Sequence, residues 1–388
     1  MKKLILFVAC LLLVVQVYGQ QALGKGSEIV SPEVHADNTV TFRLQAANAK
    51  EVKLTGDWIP RKDWSSPTVD MVNDGSGLWS YTTKVLPSDL YSYMFLVDGV
   101  EVRDPNNVYL NRDVATVSNI FITGNGVSDL YKVQKVPHGS VTRRWYDSPG
   151  NDMSRRITIY TPPGYETSKE SYPVLYLLHG MGGDEEAWMA LGRTSQILDN
   201  LIAQGKAKPM IVVMTNGNVV QEAAPGESSL GLYKPTFQLP HTMDGKMEET
   251  FPEVISFIET NYRVIPDRSG RAIAGLSMGG YHSLHISRYY PNMFDYVGLF
   301  SPAVIPPQGV NSKVYEDIDG TLAGQIRNGY QLYWIGIGKT DFLYQAVEEY
   351  RAKLDKLGAK YIYVETEGGH TWSNWRVYLS DFLPLLFK

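Results

Sequence analysis

The sequence predicts an all-β, immunoglobulin-like sandwich followed by an α/β domain whose mostly parallel sheet carries helices on both faces. Three observations predict it. A chain of 388 residues is too long for one ordinary core. Short alternating strands separated by turn signals fill the first third, as in a sandwich. Beyond about residue 125, continuous apolar runs alternate with helical stretches, the pattern of strands buried on both faces.

Taken in order, residues 1–19 read as a signal peptide. Lys2 and Lys3 precede an apolar run from Leu4 to Val17, and Val17-Tyr18-Gly19 stands before Gln20 as a cleavage site. The run is shorter than the roughly 20 residues that span a bilayer, so the expectation is an exported chain, periplasmic or extracellular, without a membrane partner after processing. Cys10 is the single cysteine of the chain and lies inside this segment. The processed protein is therefore expected to lack disulfides, thiolate metal sites and a cysteine nucleophile. Loss of Lys2 and Lys3 takes the formal charge from −5 to −7. With no basic stripe, nucleic acid is not an expected partner.

Residues 20–124 form the expected sandwich. Thr39 to Leu44, Glu51 to Leu54 and Leu90 to Val97 read as strands, with Asn73-Asp74-Gly75 and Asp98-Gly99 as turns. Trp58 and Trp64 lie on a turn-rich stretch where they could stack on sugar, whereas Trp79 falls inside an alternating strand and reads as core. A linker is expected at 125–136, and the α/β domain at 137–388. Its strands are read at Pro173 to Leu178, Met210 to Met214, Arg271 to Ala274, Tyr296 to Phe300, Leu332 to Ile337 and Tyr361 to Glu365.

Four segments of that domain carry chemistry. Gly275-Leu276-Ser277-Met278-Gly279 joins a strand to a helix and has the form of a nucleophile elbow, in which glycines make room for a strained turn that pushes the serine hydroxyl outward. A serine needs a base and a group that orients the base. Of the seven histidines, His370 in Gly368-Gly369-His370 follows the last strand, where the base is expected in the order serine, acid, histidine. Asp341, after the preceding strand, is the candidate acid. An N-cap is its alternative reading, and Glu365 and Glu367 are fallbacks. His282-x-x-His285 lacks the acidic partner of a metal motif, so no metal is expected. Finally, His179-Gly180-Met181-Gly182-Gly183 lets backbone amides approach a developing oxyanion. The amide of Met278, with that of Met181 or Gly182, would form the hole, and spacing leaves open which of the two donates.

These motifs, with Tyr262-Arg263-Val264-Ile265 and Gly338-Lys339-Thr340-Asp341, resemble the esterase D / antigen 85 branch of α/β hydrolases. Within it the chain is most similar to the carbohydrate esterases that include feruloyl and acetyl xylan esterases. Val52 to Trp58, Gly77 to Tyr81 and Tyr91 to Gly99 resemble the early-set, glycogen-binding-like sandwich often joined to such enzymes, as a binding module or as a spacer. The resemblance implies an α/β hydrolase fold, Ser277 as nucleophile, His370 as base and Asp341 as its orienter, an acyl-enzyme, no cofactor, and acylated plant polysaccharide as the partner. An enterochelin-type siderophore esterase and a carbohydrate-binding protein with an inactive hydrolase domain are the alternatives.

Substrate contacts are read from sequence proximity. Trp188, Phe342 and Trp372 lie near the catalytic segments and are candidates to clasp a planar acyl group, although Trp188 and Trp375 also suit a helix-face core. The segment 216–245 is long for a connection in a compact domain. Gln221, Glu222 and Tyr233 within it are candidate contacts.

Overall fold

Alternation in the first third produces two facing sheets. The strands are β1 (Glu33–Val34), β2 (Val40–Gln45), β3 (Val52–Gly56), β4 (Thr68–Asp70), β5 (Val72–Asn73), β6 (Leu78–Thr82), β7 (Leu90–Val97), β8 (Val100–Val102), β9 (Leu110–Asp113) and β10 (Thr116–Ile122). One sheet has the order β1-β2-β6-β5 and the other β4-β3-β7-β10-β9, with β8 paired to β7. Every strand pair is antiparallel. Val40, Phe42, Leu54, Tyr93 and Phe95 fill the space between the sheets. Trp58 does not stand out as a sugar platform. Its ring stacks on Phe42 at 5.4 Å and meets Tyr91 and Phe121 edge-on, because an indole gains more from closing an apolar layer than from lying in water. Trp79 is buried, its indole donating to the Ala46 carbonyl.

The computed structural model describes residues 28–60, 67–231, 235–237 and 239–388. The expected signal peptide with Cys10, and also Trp64 and Tyr233, lie outside the described residues.

The sheet of the second domain has eight strands in the order β11-β12-β14-β13-β15-β16-β17-β18, namely β11 (Ser140–Ser148), β12 (Met153–Thr161), β13 (Val174–Leu178), β14 (Ile211–Thr215), β15 (Arg271–Leu276), β16 (Tyr296–Phe300), β17 (Leu332–Gly338) and β18 (Ile362–Thr366). From β14 to β18 all pairings are parallel, while β11, β12 and β14 pair antiparallel. The helices are α1 (Ala187–Ala190), α2 (Thr194–Ala203), α3 (Lys246–Asn261), α4 (Met278–Tyr289), α5 (Ile318–Asn328), α6 (Tyr344–Lys356) and α7 (Trp372–Phe382). Helices α3 to α6 bury apolar residues on one face of the sheet, and α1, α2 and α7 on the other. Crossover helices on both faces of a parallel run follow from the right-handed βαβ connection.

The sandwich packs against the α2 and α7 side. Leu90 and Tyr131 share one apolar cluster with Trp188, Ile197, Leu198 and Leu379. Arg376 on α7 is buried and donates to the Asp89 carboxylate at 3.0 Å and the Leu90 carbonyl at 2.8 Å. The expected linker is also engaged. Arg193 donates to the Tyr131 carbonyl, and Asn200 to the carbonyls of Leu130 and Lys132.

Candidate active site

Three connections at the carboxyl ends of parallel strands converge, the usual ligand edge of such a sheet. Ser277 joins β15 to α4 with φ 53° and ψ −114°, a conformation that a non-glycine residue holds at a cost of about 1–3 kcal/mol. The surroundings impose it. The Ser277 amide donates to the Phe300 carbonyl at 2.8 Å, and its own carbonyl accepts from Tyr281 and Ala303. Glycine is required beside it, because a Cβ on Gly279 would lie 2.3 Å from the Leu178 carbonyl oxygen. The serine is half-buried and α4 behind it is almost wholly buried, so the turn rests on a rigid support.

Asp341 follows β17 and is buried; His370 follows β18 and keeps 18% of its side chain exposed. The His370 Nδ1–H lies 2.9 Å from Asp341 Oδ2 and 3.0 Å from Oδ1. Asp341 Oδ1 also accepts from the Leu343 amide at 2.9 Å. The carboxylate thus closes a turn through the Leu343 amide and faces the imidazole, whereas the N-cap position of the following helix is Leu343, so Asp341 is not the helix N-cap. Of the fallbacks, Glu367 pairs with Lys339, and Glu365 accepts from Tyr344 and Tyr363. Rings of Phe342 at 4.5 Å and Trp375 at 4.9 Å flank His370, which restricts the imidazole to a narrow range of orientations.

The other described histidines are occupied elsewhere. His35 meets Thr41, His138 meets Asp199, His241 meets Asp244, His282 meets Glu248 and His285 accepts from Arg288. His179 is structural in a way that bears on the site. Its Nε2 accepts the Gly217 N–H at 2.7 Å, so the ring proton sits on Nδ1, which donates to the Gly180 carbonyl at 2.6 Å. Burial pushes its pKa down to about 4, against the opposing pull of the Gly180 carbonyl and the Asp184 charge. The neutral ring thus fastens the base of the Gly180–Gly183 loop to the loop after β14.

The donors proposed from sequence lie along this loop and the elbow. Met278 opens α4, where an amide has no intrahelical acceptor. Met181 and Gly182 follow β13, with Gly182 at φ +78°.

Two of the expected substrate contacts are corrected. Trp188 is buried to 1% exposure and donates its indole N–H to the Leu178 carbonyl, so it is core beneath the site. Gln221 is buried and accepts from Asn216 and Asn218, holding the start of the long loop in its own hydrogen-bond network. Glu222 is taken up by Ser228 and Ser229. Phe342 is 71% exposed beside His370, and Trp372 packs edge-on between Trp188 and Trp375 at 5.2 Å from each.

A cleft of about 420 Å³ that sequence reasoning missed opens beside the glycine loop. Its walls come from both domains, with Arg112, Asp113 and Val114 from the sandwich facing Asp184, Glu186 and Glu227. Arg112 pairs with Asp184, Arg143 with Glu186, and Arg156 with Glu185, Glu186 and Glu227. The wall therefore presents paired donors and acceptors with little uncompensated charge. Among the described residues no cluster has the makings of a metal site, and no helix is long and apolar enough to cross a membrane.

Residues 148–386 match a family model described as putative esterase, and residues 29–110 match one described as carbohydrate-binding module 48, the isoamylase N-terminal domain. An endo-1,4-beta-xylanase/feruloyl esterase from Xylanibacter ruminicola is 31% identical across 72% of this chain and 37% of its own length. The chain spans only 37 to 40% of the length of that relative and of two similar mycobacterial esterases. A ferulic acid esterase from the anaerobic fungus Anaeromyces mucronatus is similar in structure, with a TM-score of 0.54 at 25% identity, over 66% of this chain and 93% of its own. The enterobactin esterase of Shigella flexneri, 17% identical, gives a TM-score of 0.62 over 89% of this chain and 92% of its own, a likeness of fold that spans both domains.

Proposed function

The chain belongs to the esterase family matched by residues 148–386, and from that premise we propose that it is an exported serine esterase that hydrolyses feruloyl or acetyl esters on a plant cell-wall polysaccharide such as xylan. The observation that carries the reading is the strained Ser277 standing on the same sheet edge as the Asp341–His370 pair. The feruloyl esterase relative and the module-48 likeness of the sandwich support the substrate class.

The reaction follows from the groups present. Ser277 Oγ adds to the ester carbonyl while His370 Nε2 takes its proton, and Asp341 stabilises the imidazolium through Nδ1–H. The oxyanion is met by the amides of Met278 and of Met181 or Gly182, each donor worth about 3 kcal/mol in such sites. Collapse expels the sugar alkoxide, which leaves with the proton from His370, and an acyl-serine remains. Water, deprotonated by His370, then releases the carboxylic acid and restores Ser277. Phe342 offers an exposed aromatic face to the acyl group, and the interdomain cleft offers paired donors and acceptors to sugar hydroxyls. The leading segment with Lys2, Lys3 and the Leu4 to Val17 run supports export.

The test is hydrolysis of methyl ferulate, 4-nitrophenyl acetate and a catecholate triester by the wild type and by Ser277→Ala. Turnover of the first two, with kcat reduced on the order of 10⁶-fold in the variant, is the expected result. A marked preference for the triester would move the assignment to siderophore hydrolysis. A rate that survives Ser277→Ala would overturn the mechanism.

A further inference from the structure

The turn between β9 and β10 is closed by the pair Asp113 and Thr116, leaving Val114 and Ala115 as its two central residues. Two-residue hairpin turns of this kind demand positive φ and usually recruit Asn or Gly. Here Val114 adopts φ 52°, a region that a β-branched side chain enters only against its preference. Backbone strain of this sort persists where the surroundings over-determine it, and it concentrates at functional sites.

What surrounds it is the candidate oxyanion loop. A Cβ on Gly182 would come within 2.7 Å of Val114 Cγ2, so the valine methyl sits directly on that glycine. Arg112 ties the contact down twice, through the buried Asp184 carboxylate and through the Val114 carbonyl, to which it donates at 2.9 Å. Asn111 donates to the Ala190 carbonyl at 3.1 Å. Val114 and Arg112 thus bear on the glycine loop and the residue that follows it, while Asn111 anchors the same strand to the end of α1.

The loop needs such a grip. Gly180, Gly182 and Gly183 give it little conformational preference of its own, yet an oxyanion donor works only when held within a few tenths of an ångström. His179 fixes the inner side, and on the outer side the hairpin bears on Gly182 most closely, with the Phe237 backbone next to it. We infer that Val114 and Arg112 are positioning residues for the reaction, and that the sandwich thereby sets the rate of the chemical step on any ester, including one that carries no sugar. The inference rests on the esterase reading above.

The experiment compares kcat, KM and Tm on 4-nitrophenyl acetate, a substrate with no carbohydrate, for wild type, Val114→Gly, Val114→Asn, Val114→Ile and Ser277→Ala. Gly and Asn tolerate the positive φ, so Tm holds or rises while the contact with Gly182 is lost. The expected result is a fall in kcat of about tenfold or more, the scale of a misplaced catalytic group, with KM within about twofold. Val114→Ile keeps a branched side chain over Gly182 and is expected to keep kcat within about twofold. A role confined to holding the hairpin together would lower Tm and leave kcat alone, and a rate on the sugar-free ester at the wild-type level in Val114→Gly would overturn the inference while leaving the esterase reading intact. An inactive wild type, or activity surviving Ser277→Ala, would overturn both.

Discussion

His179 makes the stability of the α/β domain fall in acid. Its pKa is about 4 in the fold, where burial disfavours the charged ring, against about 6.5 in an unfolded chain. Because the folded value is the lower one, the unfolded state takes up the proton first. The contribution is fully present above about pH 6.5 and is lost as pH falls from there to about 4. At about 1.4 kcal/mol per unit of pH, that interval amounts to about 3 kcal/mol. The local chemistry agrees in sign, since protonation destroys the lone pair that accepts the Gly217 amide. Urea unfolding at steps between pH 7.5 and 4, on wild type and His179→Gln, isolates the effect from carboxylates common to both. The wild type is expected to lose about 2–3 kcal/mol more than the variant between pH 7 and 4.5. Parallel curves for the two proteins would refute the reasoning.

Asp341→Asn retains an acceptor for the Leu343 amide but turns an N–H toward His370 Nδ1 and favours the wrong tautomer; kcat on 4-nitrophenyl acetate should drop on the order of 10⁴-fold, with a thermal melt close to that of the wild type. Phe342→Ala removes the exposed ring 4.5 Å from His370. Steady-state kinetics should show KM for methyl ferulate rising about 2- to 10-fold, the worth of one aromatic pair, and KM for the acetate moving less.

The central parallel strands were legible because they are apolar runs buried on both faces, as in Ile211–Thr215 or Leu332–Gly338, while the edge strand Ile362–Thr366 is only half-buried and carries Glu365. Strands β11 and β12 escaped for the opposite reason. Ser140–Ser148 is a largely exposed edge with Arg143, Arg144 and Asp147, while Met153–Thr161 buries Arg155 and Arg156, whose charges are met by backbone carbonyls and by Glu185, Glu186 and Glu227. Nothing in a run of nine residues announces partners that lie elsewhere in the chain. The same limit separates the parts of the site. Ser277, Asp341 and His370 sit in local motifs whose glycines and strand ends are visible in the sequence. Trp188 and Gln221 were misread because proximity in sequence does not tell which way a side chain turns. The Val114 contact with Gly182 joins two segments nearly 70 residues apart, and the turn that makes it lacks the Asn-Gly signal of its class.

The union of the two halves around Arg376 bears on how far the hydrolase can be treated as a portable module. Cutting the chain at the join would take Asp89 and the Leu90 carbonyl away from a guanidinium that has almost no access to solvent, and stranding such a charge costs about 3–5 kcal/mol. It would also strip Leu90 from the cluster that holds Ile197 and Leu379, leaving an apolar scar on α2 and α7. Recombination that brings a different sandwich to this esterase would have to carry replacements for those contacts with it, so the two halves are bound to change as one unit.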